Sequence, residues 1–181
     1  MATACWWGPS ATALPASGVT VTTATLPCSD QINASSGPTP PRTAVLGDVA
    51  LSTSYALGAG LLRDEPDARA RYFAKDGLQI RAGASFDLVV PPEWRGRLSL
   101  GWGNPAQRTT HLKVRGCRWT SSPSQGSPPG AWLAFAGGYW VPRAACVTVL
   151  VRAGQRQRRV RIGIGIACPG QLPPPRPLAG T

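Results

Sequence analysis

Glycine and proline interrupt this chain so often that long helices are excluded: 21 glycines and 19 prolines fill 40 of its 181 positions. Proline lacks the N–H that a helix interior requires, and glycine loses more backbone entropy on ordering than any other residue. Such punctuation suits short strands joined by turns. Hydrophobic residues make up 43% of the chain, enough for a core, and the length is that of one domain. No apolar run approaches the roughly 18 residues that a membrane-crossing helix needs.

Strand signals are dense between residues 42 and 168. Ala44–Leu51 is a β-like run broken by Gly47-Asp48, and Leu78–Arg81 alternates before Ala82-Gly83-Ala84 turns into Ser85–Val90. Pro91-Pro92 ends that strand, because proline cannot donate to a ladder. Arg97–Trp102, Thr109–Val114, Ala131–Phe135 and Cys146–Val151 follow, with Ser121–Gly130 as a loop. The clearest hairpin joins Val147–Val151 through Ala153-Gly154 to Val160–Ile166, with Val160, Ile162, Ile164 and Ile166 on one face. Only Arg63–Phe73, opened by Asp64-Glu65-Pro66, predicts a helical turn or two. The fold expected is all-β: an antiparallel, immunoglobulin-like or jelly-roll-like β-sandwich over 42–168. Residues 1–41 read as a disordered Ala/Ser/Thr/Pro-rich segment with a short strand near 22–28, and 169–181 as a proline-rich tail.

The net charge of +11 is unevenly spread. All eight acids lie between Asp30 and Glu93, and from Trp94 onward there are 13 basic residues and no acid. The first 93 residues carry −2 and the remainder +13. A single-sign field of that size attracts polyanions. Arg152, Arg156, Arg158, Arg159 and Arg161 crowd the last hairpin and are the candidate polyanion-binding residues; a solvated strand face is the alternative.

Five cysteines, Cys5, Cys28, Cys117, Cys146 and Cys168, contain no C-x-x-C pair, which argues against a zinc site. With Cys5 as the odd one, the other four predict two disulfides and an oxidising compartment. Three connectivities are possible, and Cys117–Cys146 with Cys28–Cys168 is the pairing favoured here. Met1–Gly18 has neither the positive n-region nor the apolar run of a secretory signal, although Ala2-Thr3-Ala4-Cys5 resembles the end of a lipoprotein signal. An extracytoplasmic location, secreted or lipid-anchored, then expects the signal to precede this start.

Material for catalysis is sparse. His111 is the only histidine, and no motif pairs it with a nucleophile and an orienting acid. The carboxylates of the 64–93 region, Asp64, Glu65, Asp67, Asp76, Asp87 and Glu93, are the only source of an acid pair for a hydrolase, and Arg63, Arg69 and Arg71 compete for them. No catalytic residue, cofactor or metal ligand is assigned. Trp94, Trp102, Trp119 and Trp140 lie beside arginines or glycines, where exposed rings can stack on a sugar or another ligand; the alternative is that they fill the core.

Tyr72–Gly77, Phe86–Pro91, Trp94, Gly101-Trp102-Gly103, Phe135–Val141, Ala145-Cys146-Val147 and the closing Gly163, Gly165 and Cys168 resemble a set of uncharacterised proteins of high-GC actinobacteria. That resemblance implies secretion or lipid anchoring and no particular activity. The basic second half, the cysteine layout and the lack of a catalytic constellation lead to the expectation of a non-catalytic role: an envelope-associated domain binding an anionic or carbohydrate polymer or a protein partner. The alternatives are a secreted hydrolase using the 64–93 carboxylates and a cytosolic nucleic-acid-binding protein.

Overall fold

The structure is a computed structural model that describes residues 21–40, 42–118 and 130–174. Fourteen strands run in chain order: β1 (Thr23–Thr25), β2 (Gln31–Ser35), β3 (Arg42–Val45), β4 (Val49–Ser52), β5 (Gly60–Leu61), β6 (Tyr72–Lys75), β7 (Leu78–Arg81), β8 (Ser85–Val89), β9 (Ser99–Trp102), β10 (His111–Arg115), β11 (Trp132–Phe135), β12 (Gly137–Val141), β13 (Ala145–Ala153) and β14 (Arg156–Ile164). No α-helix occurs among the described residues, only three single 3-10 turns.

The strands form three sheets. Sheet I has the order β1-β10-β8-β13-β14, sheet II β2-β11-β7-β4-β3, and sheet III β5-β6-β12-β9. All pairings between named strands are antiparallel except β1–β10. One buried cluster takes side chains from all three, among them Leu88 and Val149 of sheet I, Ile80 and Phe135 of sheet II, and Leu100 and Tyr139 of sheet III. The chain is an all-β sandwich.

Sheets II and III are joined by a bent two-stranded ribbon. Its register runs unbroken from Tyr72↔Val141 through Lys75↔Gly138 to Leu78↔Phe135 and Arg81↔Trp132. The bend falls at Asp76-Gly77 opposite Ala136, where both strands change sheet, the usual way to build a sandwich corner. Glycines let the backbones meet there. A Cβ on Gly138 would lie inside the contact shell of the Ala74 carbonyl, and one on Gly137 would strike the Gly101 carbonyl and Trp102. Gly138→Ala is expected to lower stability by about 3 kcal/mol, the upper end of overpacking in a tight core, measured as a shift in denaturation midpoint. An unshifted midpoint would show that the corner can open.

Several expectations hold and several need correcting. Leu78–Arg81 is a strand, and Ala44–Leu51 is split by a turn in which Leu46 and Gly47 have φ of 53° and 86°. The β13–β14 hairpin turns on Gly154, whose φ of 57° suits the first position of a tight hairpin turn. Val160, Ile162 and Ile164 do share the buried face, but Ile166 is 53% exposed. Gly165, with φ of 69°, turns the chain out of the strand one residue earlier. Arg63–Phe73 holds only the 3-10 turn Ala68–Ala70, capped by the Asp67 carboxylate, and Tyr72 and Phe73 belong to β6.

The boundaries also move outward. β1 and β2 pair with β10 and β11, and Leu172 bridges Tyr55, so the sandwich extends on both sides of 42–168. The disorder expected for 1–20 and the end of the proline-rich tail lie outside the described residues, as does most of the Ser121–Gly130 loop.

All four expected cysteines are bonded, in the pairs Cys28–Cys117 and Cys146–Cys168 rather than Cys117–Cys146 and Cys28–Cys168. The parallel edge strand explains the first. β1 and β10 run the same way, with Leu26 N–H donating to Lys113 C=O at 2.8 Å, so the segments leaving both strands carry Cys28 and Cys117 together. The second closes the end of the last hairpin, where Cys146 lies opposite Gly163 and the turn at Gly165 returns Cys168 to it. Cys5 lies outside the described residues. Two disulfides fit an oxidising, extracytoplasmic environment.

Candidate polyanion-binding face

Antiparallel register places directly opposed residues on the same side of a sheet. In sheet I this lines up Lys113 of β10, Asp87 of β8, Arg152 of β13 and Gln157 of β14 in one row. The next row is His111, Val89, Leu150 and Arg159, while Arg115 lies opposite Ser85 and Arg161 opposite Thr148. The other side of the same strands carries Leu88, Leu112, Val149, Val160 and Ile162, all in the core. One outward face thus collects Lys113, Arg115, Arg152, Arg159 and Arg161, with Asp87 among them.

Two carboxylates answer these five cations. Asp87 lies 2.9 Å from Arg115 Nη1 and 3.2 Å from His111 Nε2. Glu93, on the 3-10 turn Pro92–Trp94, pairs with Arg159. Lys113, Arg152 and Arg161 meet no carboxylate among the described residues, and Arg161 donates to the Pro169 carbonyl at 3.1 Å. The face therefore has three more cations than anions before His111 is counted. Arg115, Arg152, Arg159 and Arg161 are exposed, so they keep their hydration and remain open to a ligand.

The hairpin arginines do not act as one patch. Arg152, Arg159 and Arg161 belong to the outward face, whereas Arg156 and Arg158 have the parity of Val160. Arg156 approaches Asp48 Oδ2 at 3.7 Å, and Arg158 lines a groove beside β3. Lys113, Arg115 and His111, which join the face from β10, were missed in the sequence. Their i, i+2, i+4 spacing along a strand was the available signal.

The tryptophans divide differently from expectation. Trp102 is 2% exposed, meets Tyr139 edge-on at 5.3 Å between centroids and donates its indole N–H to the Asp76 carbonyl at 2.9 Å, so it is core and cannot stack on a ligand. Trp140 is half-buried and packs on Phe73 at 4.7 Å. Trp94 is half-buried too, with the guanidinium of Arg97 4.8 Å from its ring centroid. Trp119 lies outside the described residues. The described rings form no shared platform.

The carboxylates of 64–93 are dispersed. Glu65 pairs with Arg108, Asp67 with Arg69, Asp87 with Arg115 and Glu93 with Arg159. The hydrogen bond from Arg69 holds the partly exposed Asp67 carboxyl below its usual range. Among the described residues no three His, Cys, Asp or Glu side chains gather as a metal site would require.

Asp76 is different because it is buried at the ribbon bend. Its Oδ1 accepts from Ser52 Oγ at 2.8 Å and faces Arg42 at 3.5 Å, and burial pushes its pKa above the usual carboxylate value against those two partners. A raised folded-state value stabilises the protein below about pH 4, the unfolded value, and that contribution is lost as pH rises through the folded one. Asparagine can still accept from Ser52 and does not ionise. The stability of Asp76→Asn relative to the native chain is expected to grow as pH rises above about 4, the unfolded value, read from denaturation midpoints. A pH-independent difference would contradict the desolvation account.

The chain matches no protein-family model, no curated protein and no solved structure.

Proposed function

We propose that this protein is a non-catalytic, extracytoplasmic binding domain whose outward face on sheet I takes an anionic polymer of the cell envelope. The observation that carries this reading is the row Lys113–Asp87–Arg152 with Arg115, Arg159 and Arg161 around it: five cations, two carboxylates, on a face stiffened by antiparallel pairing. Charges of one sign on a rigid surface attract a repeating phosphate or carboxylate chain by releasing its counterions. The two disulfides and the resemblance of Tyr72–Cys168 to secreted or lipid-anchored actinobacterial proteins support the location. The dispersed carboxylates favour binding over the hydrolase reading.

The test is a titration with polyphosphate and, in parallel, with neutral dextran. The domain is expected to bind polyphosphate with an affinity that falls steeply with salt, and dextran not at all. Salt-independent dextran binding would replace the anionic polymer with a carbohydrate ligand.

A further inference from the structure

We infer that the free edge of β14 is a strand-addition site for an extended acidic peptide of a protein partner. β14 is the last strand of sheet I, bonded to β13 alone through an unbroken register from Ala145↔Ile164 to Ala153↔Arg156. The chain itself shows which residues point away from β13. Gly163 C=O accepts from Leu57 N–H at 2.7 Å, Gly165 N–H donates to Leu57 C=O at 2.8 Å, and Arg161 C=O accepts from Gln171 Nε2 at 3.1 Å. By the period of two, the N–H and C=O of Gln157 and Arg159 and the N–H of Arg161 point the same way. No described residue bonds to them. Leu57 already uses this edge as a strand would, in parallel with Ile164, and its segment leaves before reaching Arg161.

The space beside that edge is a groove of about 420 Å³, within the usual range of binding cavities. Its opposite wall is Thr43, Ala44 and Val45 of β3, itself the outermost strand of sheet II. Arg158 lines the near wall from the inward side of β14, and Arg159 and Arg161 border it from the outward side. An added strand would place alternate side chains beside the outward Arg159 and Arg161, and the others toward the groove, where Ala44, Val45 and Val160 meet them and Arg158 adds a further cation. The occupant that fits therefore alternates acidic with apolar residues. A second copy of this chain fits poorly, because cationic edge residues and a net charge of +11 oppose self-pairing.

The strand addition rests on backbone groups of an edge and not on the face, while its acidic preference shares Arg159 and Arg161 with the polymer reading, so the probes separate backbone pairing from charge. The probe is a labelled alternating Glu-Val peptide, compared with a Glu-Pro peptide of equal charge and with polyphosphate. Gln157→Pro deletes one edge N–H without altering charge or the β13 ladder. It is expected to weaken the Glu-Val peptide about tenfold and leave polyphosphate unchanged. The Glu-Pro peptide is expected to bind at least about tenfold more weakly than Glu-Val to the native domain. Equal affinity for the two peptides would overturn the proposal and leave only charge attraction. Should Gln157→Pro fail to fold, hydrogen exchange on the native domain decides: the Arg159 and Arg161 amides must gain protection with the Glu-Val peptide, and unchanged exchange rejects the site.

Discussion

Serine in place of both Cys28 and Cys117 is expected to lower stability by about 4–5 kcal/mol, whereas the same change at Cys146 and Cys168 lowers it by about 3 kcal/mol. The difference follows from sequence separation, 89 against 22, because the longer closed loop removes more entropy from the unfolded chain. Topology adds to the first effect. β1 is a three-residue strand on the sheet edge, held in parallel by β10, and too short to stay docked on backbone bonds alone. Against a total stability of about 5–15 kcal/mol, losing the longer bridge brings the domain close to unfolding. Loss of the shorter one loosens the end of the β13–β14 hairpin, which its nine cross-strand pairs still hold. Thermal melts of the two double variants, without reductant, check the order. A larger loss for the Cys146–Cys168 pair would contradict it.

Replacing Lys113, Arg115 and Arg152 together with glutamine is expected to weaken polyphosphate binding about a hundredfold. Each basic side chain near an anionic surface contributes about 1 kcal/mol, and three such contributions exceed two factors of ten. The salt dependence should change in step. With five cations engaged, the slope of log affinity against log salt is about −3.5 at the value of roughly −0.7 per phosphate found for single strands, and with two it is about −1.4. Stability should barely move, because these side chains are on the solvent side of sheet I and only Arg115 pairs with a carboxylate. Asp87 then loses a partner and adds its negative charge to the same face, which deepens the loss of affinity.

Local pattern made part of this architecture legible. Leu78–Arg81 and the β13–β14 hairpin were visible because alternation of apolar with polar residues is a property of the strand itself. So was the number of bonded cysteines. Their pairing was not, because it depends on β1 lying parallel to β10, a contact across 88 residues that leaves no periodic trace. β12 was hidden for a different reason: Gly137-Gly138 has low strand propensity, and only the crowded corner against Ala74 and Gly101 requires glycine there. The arginines of β14 were visible as a cluster, but their division between the outward face and the groove follows from register with β13. Lys113 and Arg115 joined the face only once β8 was seen to bridge β10 and β13. Trp102 read as a ligand platform because its neighbours are glycines; the glycine that gives it room inside is instead Gly137, its cross-strand partner on β12.

The central claim is that position on sheet I, and not total charge, creates the binding face. The most direct test compares two variants of equal net charge at one salt concentration. One carries Lys113, Arg115 and Arg152→Gln; the other carries Arg63, Arg71 and Arg143→Gln, exposed arginines outside that face. Polyphosphate affinity should fall about a hundredfold in the first and by less than about threefold in the second. Equal losses would mean that the polymer responds only to the charge of the whole chain, and the face on sheet I would have no special role.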